Sequence, residues 1–182
     1  MKNIAIRAGL ICASGLFCLN VWAADVPTDV AFALPQARLA GTTRLSVWGF
    51  DIYDARLWAA PGFQAERYAD TALALELRYL RDFSRADIAR RSLDEMRRSA
   101  PISDAQAKAW QQKLELAFPD VRKGDRILGI YLPQTRTARF LTNGQPTGEV
   151  SDGDFARLFF GIWLSPQTSE PAMRRALLAG NP

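Results

Sequence analysis

The sequence predicts an α+β domain in which a large antiparallel sheet is covered by a layer of helices. Three observations carry this prediction. Leu73, Leu75, Leu77 and Tyr79 alternate with Ala74, Glu76 and Arg78, the period of two that marks a strand. Two serine-led capping patterns, Ser84-x-x-Asp87 and Ser103-x-x-Gln106, open helices in succession. Asn143-Gly144 stands between two strand-like arms, and both central residues of a type I′ hairpin turn need positive φ. Strands, two helices, strands and two more helices then follow one another, with helices packed on one face of an antiparallel sheet.

The elements can be taken in order. Residues 43–48 and 50–60 read as strands separated by Gly49, which marks a tight turn or a bulge. The first long helix spans 84–98, with Arg90 and Asp94, and Arg91 and Glu95, four apart on its outer face. The second carries an apolar stripe of Trp110, Leu114, Ala117 and Phe118, and Pro119 stops it. Strands return at 126–132 and 138–142, and a short arm at 147–150 follows the Asn-Gly turn. Asp152 or Ser151 caps a third helix with Phe155, Leu158, Phe159, Ile162 and Trp163 at helical spacing. Ser169 caps a last helix that ends near Gly180.

The first 23 residues read as a secretory signal peptide. Lys2 and Arg7 form a positive start, residues 8–23 carry no charge, and Val21-Trp22-Ala23 offers a small-residue cleavage site. The apolar run is shorter than the ~20 residues a membrane span needs, so no integral span is expected after cleavage. A single domain over 24–182 would remain, in the periplasm or outside the cell. Cys12 and Cys18 fall inside the signal, each preceded by a bulky residue that does not suit lipidation. Loss of Lys2 and Arg7 lowers the formal charge from +4 to +2, which gives no basic stripe for nucleic acid.

The chain has no histidine, and the mature part has no cysteine. That composition excludes Ser-His-Asp and Cys-His catalysis, the usual zinc sites and disulfides. No glycine-rich phosphate loop occurs, so neither metal nor cofactor is expected. Chemistry is left to Arg, Tyr, Lys, carboxylates, hydroxyls and the backbone.

Arg44 and Tyr53 fall on neighbouring strands if Gly49 reverses the chain. A guanidinium beside a phenol can grip a carboxylate or enolate oxygen. Under an apolar helix the pair would form the polar end of an amphipathic pocket. Periodicity alone favours the other arrangement, in which Arg44 pairs with Glu76 or Asp51 on an exposed sheet face and Tyr53 lies in the core. Phe159 and Trp163 suit either core packing or a pocket wall, and Thr168-Ser169 either a helix cap or a ligand contact. Tyr79 and Tyr131 read as core residues with a wet hydroxyl.

Five stretches together resemble the bacterial chalcone isomerase-like proteins. They are Gly-Phe-Asp-Ile-Tyr-Asp-Ala-Arg-Leu-Trp at 49–58 following Arg44, Leu-Glu-Leu-Arg-Tyr-Leu-Arg-Asp-Phe-Ser at 75–84, and Phe-Pro-Asp-Val-Arg-Lys-Gly-Asp at 118–125. Asn-Gly-Gln-Pro-Thr-Gly-Glu at 143–149 and Phe-Phe-Gly-Ile-Trp-Leu-Ser-Pro at 159–166 complete the series. The resemblance runs over residues 37–180. It implies an open-faced β-sandwich with a ligand cleft between the large sheet and its helices.

The family divides into isomerases that cyclise chalcones and non-catalytic relatives, some of which bind fatty acids. In both groups a strand arginine points into the cleft, and Arg44 matches it. Tyr53 matches the tyrosine that joins this arginine at the carboxylate in fatty-acid-binding relatives. Thr168 and Ser169 match a threonine-serine pair near the cleft floor. The tyrosine and asparagine of the isomerases' helix are missing here, where Asp87, Ile88, Ser92 and Asp94 stand. The resemblance therefore implies a non-catalytic binder of a small amphipathic molecule, a fatty acid or another apolar carboxylate. Arg44 and Tyr53 would hold the head group, with Phe159, Trp163 and the 73–79 strand as walls. Two alternatives remain: an isomerase acting on a chalcone or enone with Arg44 as electrophile, and an envelope accessory protein that docks to a partner without a small ligand.

Overall fold

The computed structural model describes residues 26–180; the expected signal peptide at 1–23 lies outside the described residues. Six strands form one antiparallel sheet in sequence order: β1 (Arg38–Val47), β2 (Phe50–Ala59), β3 (Leu73–Tyr79), β4 (Arg126–Leu132), β5 (Thr137–Thr142) and β6 (Gln145–Ser151). Between β3 and β4 the chain leaves the sheet for α2 (Arg85–Ser99) and α3 (Asp104–Ala117). After β6 it adds α4 (Gly153–Leu164) and α5 (Pro171–Leu177). These four helices cover one face, as the order of elements predicts. No helix among the described residues is long and apolar enough to cross a membrane.

The local signals work as their chemistry requires. Ser84 accepts from the Asp87 amide, and Ser103 and Gln106 close a full capping box. Asp152 accepts from the amides of Asp154 and Phe155, which places α4 directly after β6. Asn143 and Gly144 take φ of 50° and 81° in the β5–β6 turn. Trp48 and Gly49 make the same kind of turn between β1 and β2, at φ of 51° and 81°. A bulky indole in that backbone conformation is uncommon.

The inner face of the sheet and the helices share one core. Phe140 meets Phe118 and Phe159 edge to face, with centroids 4.9 and 5.1 Å apart. Phe155 stacks on Phe159, so α4 contributes an aromatic ridge to the sheet. At the far edge α5 lies close on β1: a Cβ on Gly41 would collide with the carbonyl oxygen of Ala176.

Several expectations are corrected. The first strand begins at Arg38, not near 43. The last helix begins at Pro171 behind Glu170, which makes no side-chain cap; Thr168 Oγ1 instead takes the Glu170 amide at 3.1 Å. Arg90 pairs with Asp87 at 2.6 Å, on the turn before it, and not with the expected Asp94 on the turn after. A six-residue helix, α1 (Thr28–Ala33), was not expected at all.

This short helix matters for the sheet's second face. Val30 and Leu34 pack on Trp58, Ala74, Leu128 and Ile130, so part of the outer face is also buried. The mixed face of β3 therefore carries a glutamate, Glu76, that is only 3% exposed. Arg126 serves it. Its Nε lies 2.9 Å from Glu76 Oε2, while Nη1 and Nη2 donate to both oxygens of Asp29 on α1 at 2.6 and 2.9 Å.

Candidate functional site

A cavity of about 660 Å³ lies between the inner sheet face and helices α2 and α4. Leu75, Leu77 and Ile127 wall it from the sheet, Ile88 from α2, and Phe159 and Trp163 from α4. Val47 and the almost fully exposed Trp48 also line it, so the β1–β2 turn stands at its mouth. The volume falls within the range of small-molecule sites, and the walls are mainly apolar as such sites require.

The polar end is built on two tyrosines. Tyr53 on β2 and Tyr79 on β3 are cross-strand partners, and their rings meet edge to face at 5.9 Å. The Trp163 indole donates to the Tyr53 phenol oxygen at 2.9 Å. That bond fills an acceptor position and leaves the phenol proton free; no described residue accepts it. The Tyr79 hydroxyl has no hydrogen-bond partner among the described residues. Burial pushes both phenols well above their ordinary value near 10, so both remain donors at neutral pH.

Tyr68 and Tyr131 are raised as well, again mainly by burial. All four tyrosines of the chain thus resist ionisation. An ultraviolet titration should find none of them ionising at about 10, the usual phenol value. A folded-state pKa above the unfolded one means that stabilisation is complete below pH ~10 and lost as pH rises further. Chemical denaturation at rising alkaline pH should follow that course. A full complement of phenolates near pH ~10 in folded protein would contradict the burial of these groups.

Arg44 lies elsewhere. The hairpin register pairs Leu45 with Tyr53 and Arg44 with Asp54, which turns Leu45 inward and Arg44 outward. Its guanidinium donates to Asp54 at 2.6 and 3.0 Å and to Asp51 at 2.9 Å, on a half-exposed surface. These carboxylates hold its proton more tightly than usual, the Asp54 hydrogen bond foremost. Arg44 therefore does not line the cavity, and the expected pairing with Tyr53 at a head group is not formed. Asp51, the surface alternative, is one of its actual partners.

The other candidates divide. Phe159, Trp163 and Ser169 line the cavity. Thr168 is outside it: its hydroxyl donates to the Ile162 carbonyl at 2.6 Å and joins α4 to α5. On α2, Ser92 lines the cavity but donates to Ile88 O at 2.8 Å, within its own helix. Glu95 lines it too, only 8% exposed and paired with Arg91 at 2.7 Å.

Sequence reasoning missed the part played by Tyr79 and the burial of Glu95. Register with Tyr53 would have identified the first, but register is a non-local property. Spacing on α2 placed Glu95 on an outer face because it showed only the pair with Arg91. Among the described residues no group of His, Cys, Asp and Glu is arranged to hold a metal ion.

Comparison with known proteins agrees with this architecture. An uncharacterized protein of Haemophilus influenzae is 25% identical over 132 residues, 72% of this chain and 63% of that protein. The chain thus matches less than two thirds of that relative's length. The crystal structure of a fatty-acid binding protein of Arabidopsis thaliana shares the fold at a TM-score of 0.61 and 13% identity. That likeness covers 80% of this chain and 89% of the plant protein. The family model described as chalcone isomerase-like matches residues 20–179, which contain all of the sheet and helices described above. This chain belongs to the chalcone isomerase-like family.

Proposed function

We propose that this chain is an exported, non-catalytic domain that holds a small amphipathic molecule between its sheet and helices. One observation carries the reading: a largely apolar cavity of about 660 Å³ ends at a half-buried phenol, Tyr53, whose proton has no acceptor among the described residues. An apolar chain would lie against Leu75, Leu77 and Phe159, and an oxygen of the head group would accept from Tyr53. The Arabidopsis protein that shares this fold is a fatty-acid binding protein, which supports a ligand of fatty-acid size. Export rests on the Lys2, Arg7 and 8–23 pattern, with the periplasm or the exterior as destination.

Binding is favoured over cyclisation by the same geometry. Arg44, the electrophile of the isomerase reading, faces away from the cavity. Ser92, on the helix where the isomerases carry their donors, uses its hydroxyl within the helix. A phenol pair can orient an oxygen, but the cations that line the cavity, Arg90 and Arg91, are already paired with Asp87 and Glu95 and are not free to stabilise a developing enolate.

Displacement of a fluorescent fatty-acid analogue tests the reading. Wild-type protein should bind the analogue and release it to unlabelled competitors. Tyr53→Phe should weaken binding about 2- to 12-fold, the loss of one neutral hydrogen bond worth about 0.5–1.5 kcal/mol. Failure of the folded wild-type protein to bind any analogue would remove the proposal.

A further inference from the structure

The charges around the cavity indicate which head group it takes. The charged lining residues are Asp87, Arg90, Arg91 and Glu95 from α2 and Glu170 from the segment before α5. Each arginine already has its own carboxylate: Arg90 meets Asp87 at 2.6 Å and Arg91 meets Glu95 at 2.7 Å. Both guanidiniums are largely in solvent, with side chains 65% and 70% exposed. Glu170 is left over, so the lining carries a formal charge of −1, with two cations against three acids. The acids do not stand at a distance: Glu170 and Glu95 act on the Tyr53 hydroxyl, together with Arg91, the cation that Glu95 engages.

The donors, by contrast, are neutral. Tyr53 and Tyr79 offer two phenolic protons from adjacent strands. The indole that donates into the Tyr53 oxygen polarises that phenol and strengthens its outgoing hydrogen bond. Two neutral donors suit a carbonyl oxygen, which accepts two hydrogen bonds without bringing charge. A carboxylate moved into the same place would lose its hydration, would have to compete with Glu95 for Arg91, and would meet Glu170, unpaired among the described residues.

We infer that this cavity selects an uncharged apolar molecule ending in a carbonyl oxygen, such as an ester or ketone, over a carboxylate of equal chain length. The inference rests on the binding reading above and narrows its ligand class.

Titration of the purified domain with dodecanoate and with its methyl ester at mildly alkaline pH, read by tryptophan fluorescence, tests it. The ester should bind at least about tenfold more tightly than the carboxylate. E95Q and E170Q combined, which remove two acids from the lining, should narrow that preference to about threefold or less. Equal or tighter binding of the carboxylate by wild-type protein would overturn the inference and leave the binding reading standing. An unchanged preference in the double variant would equally overturn it, since the lining charge would then not set the selectivity. If neither probe binds, the binding reading fails and the inference falls with it.

Discussion

Arg126→Met is expected to destabilise the domain by about 3–5 kcal/mol, because it strands a buried carboxylate. Glu76 is 3% exposed and has Arg126 Nε at 2.9 Å; its other cation, Arg56, is 3.7 Å away and half exposed. The substitution also releases the two-pronged grip on Asp29 that holds α1 to the outer sheet face. Urea denaturation of wild type and variant reads the loss as a lower midpoint at similar slope. Adding Glu76→Leu should recover much of it, since Trp58, Leu128 and Ile130 already form an apolar surround.

The loss should also depend on acidity in a defined direction. The Arg126 hydrogen bond holds the Asp29 carboxyl below the usual carboxylate range. A depressed folded-state pKa means stabilisation present above the unfolded value of ~3.9 and lost as pH falls through the folded one. The gap between wild type and Arg126→Met should therefore be widest near neutrality and shrink in acid. A gap under ~1 kcal/mol at neutral pH would mean that Glu76 tolerates burial unaided.

Leu77→Trp carries the second large effect, on binding. Leu77 is 7% exposed and points from β3 into the cavity, so an indole there occupies the space of the ligand's apolar part. Affinity for a fluorescent fatty-acid analogue should fall by about two orders of magnitude, or ~2.7 kcal/mol. Overpacking should cost about 1–3 kcal/mol of stability at most, which a thermal melt would detect. Arg44→Ala serves as the contrast. It breaks only exposed ion pairs with Asp51 and Asp54, so affinity should stay within about twofold. If Arg44→Ala abolished binding while Leu77→Trp did not, the ligand would lie on the other face of the sheet.

The fold was largely legible because its signals are local. Ser103 with Gln106, Asn143 with Gly144, and the alternation of 73–79 each act within a few residues, and each forms as its chemistry requires. The helix Thr28–Ala33 was invisible for the opposite reason. Six residues give too short a period to read, and its stability comes from Trp58 and Leu128, far away in sequence. The resemblance of the five motifs identified the family, and with it the sheet-and-helix arrangement.

The site was legible only in part. Tyr53, Phe159, Trp163 and Ser169 were named and lie on the cavity. Arg44 was named and faces outward, because facing is set by hairpin register and a slip of one residue exchanges the two faces. Leu45 and Val47 take the inward positions that flank it. Glu95 was read as a surface partner of Arg91, and nothing on its own helix reveals that it stands over a cavity. Tyr79 read as a core residue with a wet hydroxyl, and its place beside Tyr53 follows only from the partner across the strand.

Native mass spectrometry of the purified domain, before and after addition of a twelve-carbon methyl ester, tests the central claim most directly. A bound amphipathic molecule should appear as a one-to-one adduct that survives gentle desolvation and is absent from Leu77→Trp. A bare protein mass under every condition, or an adduct that Leu77→Trp retains in full, would contradict it.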